Sequence, residues 1–161
     1  MKKIFVLCLS FLLCLSCLCA CGGDTAAEET PVSIDLAAMS EELLAGDFFT
    51  DLLSPVEKNI AAMLYGVEET DIAECVANFS TGATAEEVTL FKAVDAEAAA
   101  RLAEAAAARV ETQTAAYKEY APGEVEKLEN AIVQTVGDYV IYIVCADAEA
   151  AGEILSGYTG A

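Results

Sequence analysis

Val88-Thr-Leu-Phe-Lys-Ala-Val-Asp-Ala-Glu-Ala-Ala99 aligns without a gap on Val140-Ile-Tyr-Ile-Val-Cys-Ala-Asp-Ala-Glu-Ala-Ala151, 52 residues further on. Each copy is a β-branched and aromatic run that passes into Asp-Ala-Glu-Ala-Ala. The run favours a strand. Asp95 and Asp147 stand where a helix N-cap is wanted, and Glu97 and Glu149 sit near the positive end of the helix that follows,.

Working outward, each strand has a partner before it. Ile72 to Phe79 reads as a strand, Ser80-Thr-Gly-Ala83 as a turn and Glu87 to Val94 as the returning strand, although Thr84 with Glu87 also fits a capping box and so a helix,. Ala131 to Val136 and Tyr139 to Ala146 flank Gly137-Asp138, a hairpin pattern,. The unit is a hairpin plus a helix, used twice. Two such units predict an α+β fold, a four-stranded antiparallel sheet with the long helix and the last helix on one face. Tyr139 to Cys145 is apolar at every position, as a strand covered on both sides would be,. Two N-terminal helices are the natural cover for the second face.

The first of those helices is predicted over Ile34 to Ala45, with Leu36, Met39, Leu43 and Leu44 at helical spacing and Gly46 past its end,. An apolar connector follows, Phe48-Phe-Thr-Asp-Leu-Leu53. Ser54-Pro-Val-Glu57 then reads as a capping box with Pro55 in the first helical position, a stripe of Val56, Ile60, Met63 and Leu64, and Gly66 closing the helix,. An alanine-rich helix runs from Asp95 to about Glu119 with Leu102, Ala106, Val110, Gln113 and Tyr117 on one face and a Glu97–Arg101 pair one turn apart,. Tyr120-Ala-Pro-Gly123 stops it, a helical turn over Glu124 to Leu128 follows, and Asp147 opens the final helix.

The chain begins Met1-Lys2-Lys3 and then runs uncharged from Ile4 to Ala20, the build of a secretory leader,. Leu18-Cys19-Ala20-Cys21 is similar to the lipobox of bacterial lipoproteins, with Cys19 an unusual residue for its place. That likeness implies cleavage of residues 1–20 as a signal peptide and lipid attachment at Cys21. Residues 21–32 read as a polar tether and 33–161 as a single α+β domain. Four cysteines (Cys8, Cys14, Cys17 and Cys19) leave with the leader, so they form no zinc or redox motif in the mature protein. Cys75 and Cys145 remain, read as two free thiols in apolar strands, with a disulfide as the alternative.

Eight basic residues less Lys2 and Lys3 leave six against 27 acidic ones, a net charge of −21 for the mature chain. Such a field repels phosphate backbones and excludes nucleic acid as a partner. It also opposes an anionic membrane surface, so acyl chains on Cys21 must supply the attachment.

The chain has no histidine, which removes the commonest general base and the usual triads. A Gly-rich phosphate loop, a Gly-x-Ser-x-Gly elbow and a calcium loop are missing too,. The acidic pairs Glu28-Glu29, Glu41-Glu42, Glu68-Glu69 with Asp71, and Glu86-Glu87 read as solvated faces and helix starts. Tyr65-Gly66 and Tyr120-Ala-Pro122 read as helix ends against the core.

In order along the chain, Asp35-Leu-Ala-Ala-Met39, Gly46-Asp-Phe-Phe49, Leu64-Tyr-Gly-Val67, Tyr120-Ala-Pro-Gly-Glu124 and Leu128-Glu-Asn-Ala131 resemble a small lipoprotein family of Firmicutes, domain of unknown function four-three-five-eight. The resemblance spans Asp35 to Leu155 and implies a Gram-positive, clostridial surface lipoprotein. It carries over no catalytic, cofactor-binding or metal residue. The expected function is a membrane-anchored extracytoplasmic accessory at the outer face of the cytoplasmic membrane. It is held by lipid on Cys21, uses no cofactor, and binds or scaffolds an envelope protein. Capture of a small ligand or cation, and carboxylate-dependent hydrolysis, are the alternatives.

Overall fold

A computed structural model describes residues 33–160. The expected leader, Cys21 and the tether lie outside the described residues. The elements are helix α1 (Leu36–Leu44), strand β1 (Ser54–Val56), helix α2 (Lys58–Tyr65), strands β2 (Ile72–Phe79) and β3 (Glu87–Ala93), helices α3 (Ala96–Tyr120) and α4 (Val125–Glu129), strands β4 (Ile132–Val136) and β5 (Tyr139–Val144), and helix α5 (Ala148–Thr159). The strands form one antiparallel sheet in the order β1-β2-β3-β5-β4.

The four expected strands are present, and a fifth stands where a helix start was expected. Ser54–Val56 pairs with the end of β2, Ser54 opposite Phe79 and Val56 opposite Ala77. Pro55 suits either role, because its fixed φ fits an extended edge strand as well as a first helical turn. The sheet wins, and the capping box is not made: α2 starts after Glu57, whose side chain makes no cap hydrogen bond. Its buried side is also not the predicted stripe. Ala61, Ala62 and Tyr65 face the core, while Ile60, Met63 and Leu64 are 39%, 67% and 45% exposed. Two small side chains let the helix lie close to the sheet. The Tyr65 ring then stands edge-on to Phe91 and Tyr142, with centroids 5.1 and 5.7 Å away,. Gly66 closes the helix in the left-handed region as predicted, at φ 69°,.

Both faces of the sheet are covered. One carries α2, α3 and α4, with Ala61, Ala62, Leu102, Ala106 and Leu128 packed on Phe91, Val140, Tyr142 and Val144. The other carries α1 and α5, with Leu36, Met39, Leu43, Ala151 and Leu155 packed on Val88, Leu90, Ile141 and Ile143. The long and last helices therefore lie on opposite faces, and the two N-terminal helices are likewise divided.

Strand parity gives the reason. β3 and β5 are antiparallel neighbours, with Val88 opposite Ile143 and Phe91 opposite Val140. Cross-strand partners share a face and successive residues alternate. An in-register repeat offset of 52 thus sets Val88 and its counterpart Val140 on opposite sides. The local motif recurs, since Asp95 accepts from the Ala98 amide and Asp147 from the Ala150 amide. The hairpin-plus-helix unit is not repeated as a rigid body. Arg101 also leaves its expected partner, forking onto Asp71 at 2.7 and 2.8 Å instead of Glu97, because a bidentate contact is the better geometry for a guanidinium.

Candidate functional site

Glu86 is the residue before β3 and Glu87 its first. They are 1% and 4% exposed, so the sequence reading of this pair as a solvated face is overturned. A buried carboxylate must find donors or lose its charge. Each of these finds them in a different place.

Glu87 turns toward α2 and α3. Arg109 donates from Nε at 2.9 Å and Nη2 at 2.6 Å to Oε2, Tyr65 donates its hydroxyl to Oε1 at 2.6 Å, and Thr89 donates to the same oxygen at 2.8 Å. The guanidinium lies over the rings of Tyr65 and Phe79, 4.9 and 5.1 Å from their centroids, a cation–π arrangement. Burial and the Glu87 charge push the Tyr65 hydroxyl well above its ordinary value, so it stays a donor. The Tyr142 hydroxyl lies fully buried beside this group and has no hydrogen-bond partner among the described residues.

Glu86 turns toward the connector between α1 and β1. It accepts from the amides of Thr50 (2.9 Å) and Asp51 (2.8 Å), the Thr50 hydroxyl (2.8 Å) and Lys127 Nζ (2.9 Å). Lys127 also donates to Glu124 at 3.1 Å, and Glu124 accepts from the Ala85 amide at 3.0 Å. Burial alone would raise the Glu86 pKa; the donors from Lys127, Thr50 and Asp51 outweigh it and hold the carboxyl below its usual value,. The segments around residues 50, 85 and 126 are thereby tied together at one end of the sheet.

Beside this carboxylate pair opens a cleft of about 250 Å³, lined by Leu64, Phe79, Thr84, Arg109, Gln113 and Tyr117 as well as Glu86 and Glu87. The chemistry available there is limited. A general acid at neutral pH needs a raised carboxyl pKa, whereas Glu86 is held low. Glu87 is occupied by a guanidinium and two hydroxyls.

The two described thiols do not meet. Cys75 packs on the α3 side of the sheet and Cys145 on the α5 side, both free. Burial pushes each thiol up to about 11, which leaves them protonated and weakly nucleophilic. Among the described residues no group of three or more acidic, cysteine or histidine side chains could hold a metal ion.

Glu41, Glu42, Glu68 and Glu69 are exposed as read, while Asp71 is half-buried; Tyr158 donates to Glu42, Lys58 pairs with Glu69, and Arg101 with Asp71. Glu28 and Glu29 fall outside the described residues, as does Cys21. What the sequence did offer for Glu86 and Glu87 was their position, flush against an apolar strand. Their cations stand 41 and 22 residues away, respectively, where sequence spacing says nothing.

No curated protein and no solved structure matches the chain. A family model described as Domain of unknown function (DUF4358) matches residues 49–145. The match takes in the whole sheet, both buried carboxylates and both of their cations. By that match over more than half of its length, the chain belongs to the DUF4358 family.

Proposed function

We propose that this chain is a lipid-anchored accessory of the cell envelope, held at the outer face of the cytoplasmic membrane through acylated Cys21, whose domain binds or scaffolds a protein instead of transforming a substrate. The observation that carries the tethering is the order basic end, apolar run, Leu18-Cys19-Ala20-Cys21, polar segment,. No described helix is long and apolar enough to cross a membrane. In this reading the acyl chains on Cys21 carry the anchoring, at about 0.8 kcal/mol per buried methylene. The observation that favours binding over catalysis is the state of the buried charges. Arg109 neutralises Glu87, Lys127 neutralises Glu86, and each carboxylate has further donors. Carboxylate-dependent hydrolysis needs one such group protonated and the other free.

Metabolic labelling with a fatty acid, followed by detergent phase partition, tests the tether. The parent chain is expected to take up label and enter the detergent phase. Cys21→Ala is expected to lose the label and to be shed or left unprocessed. A Cys21→Ala protein that stays processed and membrane-bound refutes the reading. The small-ligand alternative rests on the cleft beside Arg109, and a melting temperature unmoved by a broad metabolite panel eliminates it.

A further inference from the structure

The two edges of the sheet are built differently. β1 is three residues long with Pro55 at its centre, and proline offers no amide to a neighbouring strand. β4 forms the opposite edge, and among the described residues no strand pairs with its outer side. It lacks the usual guards of an edge: it has no proline or lysine, and its pairing with β5 runs without a bulge. From Ala131 to Gly137 there is no charged residue, in a chain with 27 acidic ones. Val133 is 38% exposed, Thr135 is exposed, and Ile132, Gln134 and Val136 are half-buried.

These five residues, Ile-Val-Gln-Thr-Val, have nearly the same character in either direction. Turned antiparallel on itself about Gln134, the strand sets Ile132 against Val136, Val133 against Thr135, and Gln134 against its own counterpart. Every flanking match joins two β-branched side chains on one face, and two carboxamides meet at the centre, both favourable cross-strand pairs. We propose that β4 is a self-pairing edge. A second copy of the chain adds its own β4 antiparallel, in register on Gln134, and the two sheets become one across a two-fold axis.

Electrostatics constrains the contact without forbidding it. The mature charge of −21 repels a second copy, but the repulsion is screened beyond about 8 Å at physiological salt and the edge itself brings no charge to the interface. One strand pair buries less than the roughly 1,200 Å² of a stable interface, so pairing is weak in dilute solution and grows with local concentration. A basic extended peptide is the other occupant an uncharged edge on an acidic protein would take. The two respond oppositely to salt, since screening strengthens self-pairing and weakens the peptide. The inference does not depend on acylation of Cys21.

The test uses the full chain carrying Gln134→Cys under mild oxidation, with cross-links mapped by mass spectrometry. Directly opposed residues stand about 4.5–5.5 Å apart at Cα, within disulfide range. Val94→Cys, at an exposed position away from the edge, is the control. A 134–134 bond is expected at roughly five times the control yield or more, rising as salt goes from about 50 to 500 mM. Val133→Lys added to the same chain should return it to the control level. If Gln134→Cys perturbs folding, the Val133→Cys, Thr135→Cys double variant places the bond at the flanking pair. A yield no higher than the control, or a bond from residue 134 to another protein that weakens with salt, overturns the proposal. Detergent partition of the same sample reads the tether separately, so either idea can fail alone.

Discussion

Glu87 meets a fork of nitrogen atoms from a helix, while Glu86, one peptide bond earlier, meets the amides of a loop and a single ammonium. Both are buried anions at the same end of the sheet, yet they depend on different kinds of partner. Arg109 lies against two aromatic rings and carries most of the compensation for Glu87 in one side chain. The compensation of Glu86 is shared among Thr50, Asp51 and Lys127, so no single side chain holds it. A buried charge is therefore most vulnerable where its neutralisation is concentrated.

Arg109→Met should break that comparison open. It leaves Glu87 with only the Tyr65 and Thr89 hydroxyls, and an uncompensated buried carboxylate costs about 3–5 kcal/mol. Urea unfolding should show a loss of that size, and adding Glu87→Gln should recover much of it, because the two effects are coupled. Lys127→Met should cost less, about 1–3 kcal/mol, since Glu86 keeps its backbone donors. Equal losses in the two variants would show that the loop amides do not share the compensation.

The smallest effect concerns acid. Glu86 has a folded pKa below its ordinary value of 4.5. The unfolded chain therefore binds its proton first as pH falls, and the stability Glu86 contributes is full above the ordinary carboxylate range. It drains away as pH drops through the depressed folded value. Urea midpoints followed from neutral pH into that range should fall less steeply for Glu86→Gln than for the parent. Identical slopes would remove Glu86 from the acid response.

Strands, hairpins and caps were legible because each is a local affair. The turn at Gly137-Asp138, the caps at Asp95 and Asp147 and the closure at Gly66 all depend on residues within a few positions. Face assignment was not legible. β5 is buried at every position, so its pattern has no polar side to reveal which residues point to α3 and which to α5. The capping box failed because Pro55 could answer to β2, 23 residues later at Asn78. The stripe on α2 failed because hydrophobicity alone ranks Met63 above Ala62, whereas close approach to a sheet favours the smaller side chain,. The buried carboxylates stayed hidden for the same reason, since their environment is made by distant chain.

The family match ends at residue 145 and begins at residue 49, whereas α1 closes at Leu44 and α5 opens at Ala148. Among the described residues those two helices supply much of the cover of the face that carries Val88, Leu90, Ile141 and Ile143, with Phe48, Phe49 and Leu53 of the connector packed beside them. The matched span is thus narrower than the sheet with its two covered faces. A fragment cut at those limits would keep every strand and uncover much of that side of the sheet, an invitation to aggregate,. Helices α1 and α5, outside the matched residues, shield much of that face of the sheet. Just past the first of them, a methyl group at Gly46 would sit 2.1 Å from the Phe48 ring, so glycine there lets that buried ring fold back against the chain,.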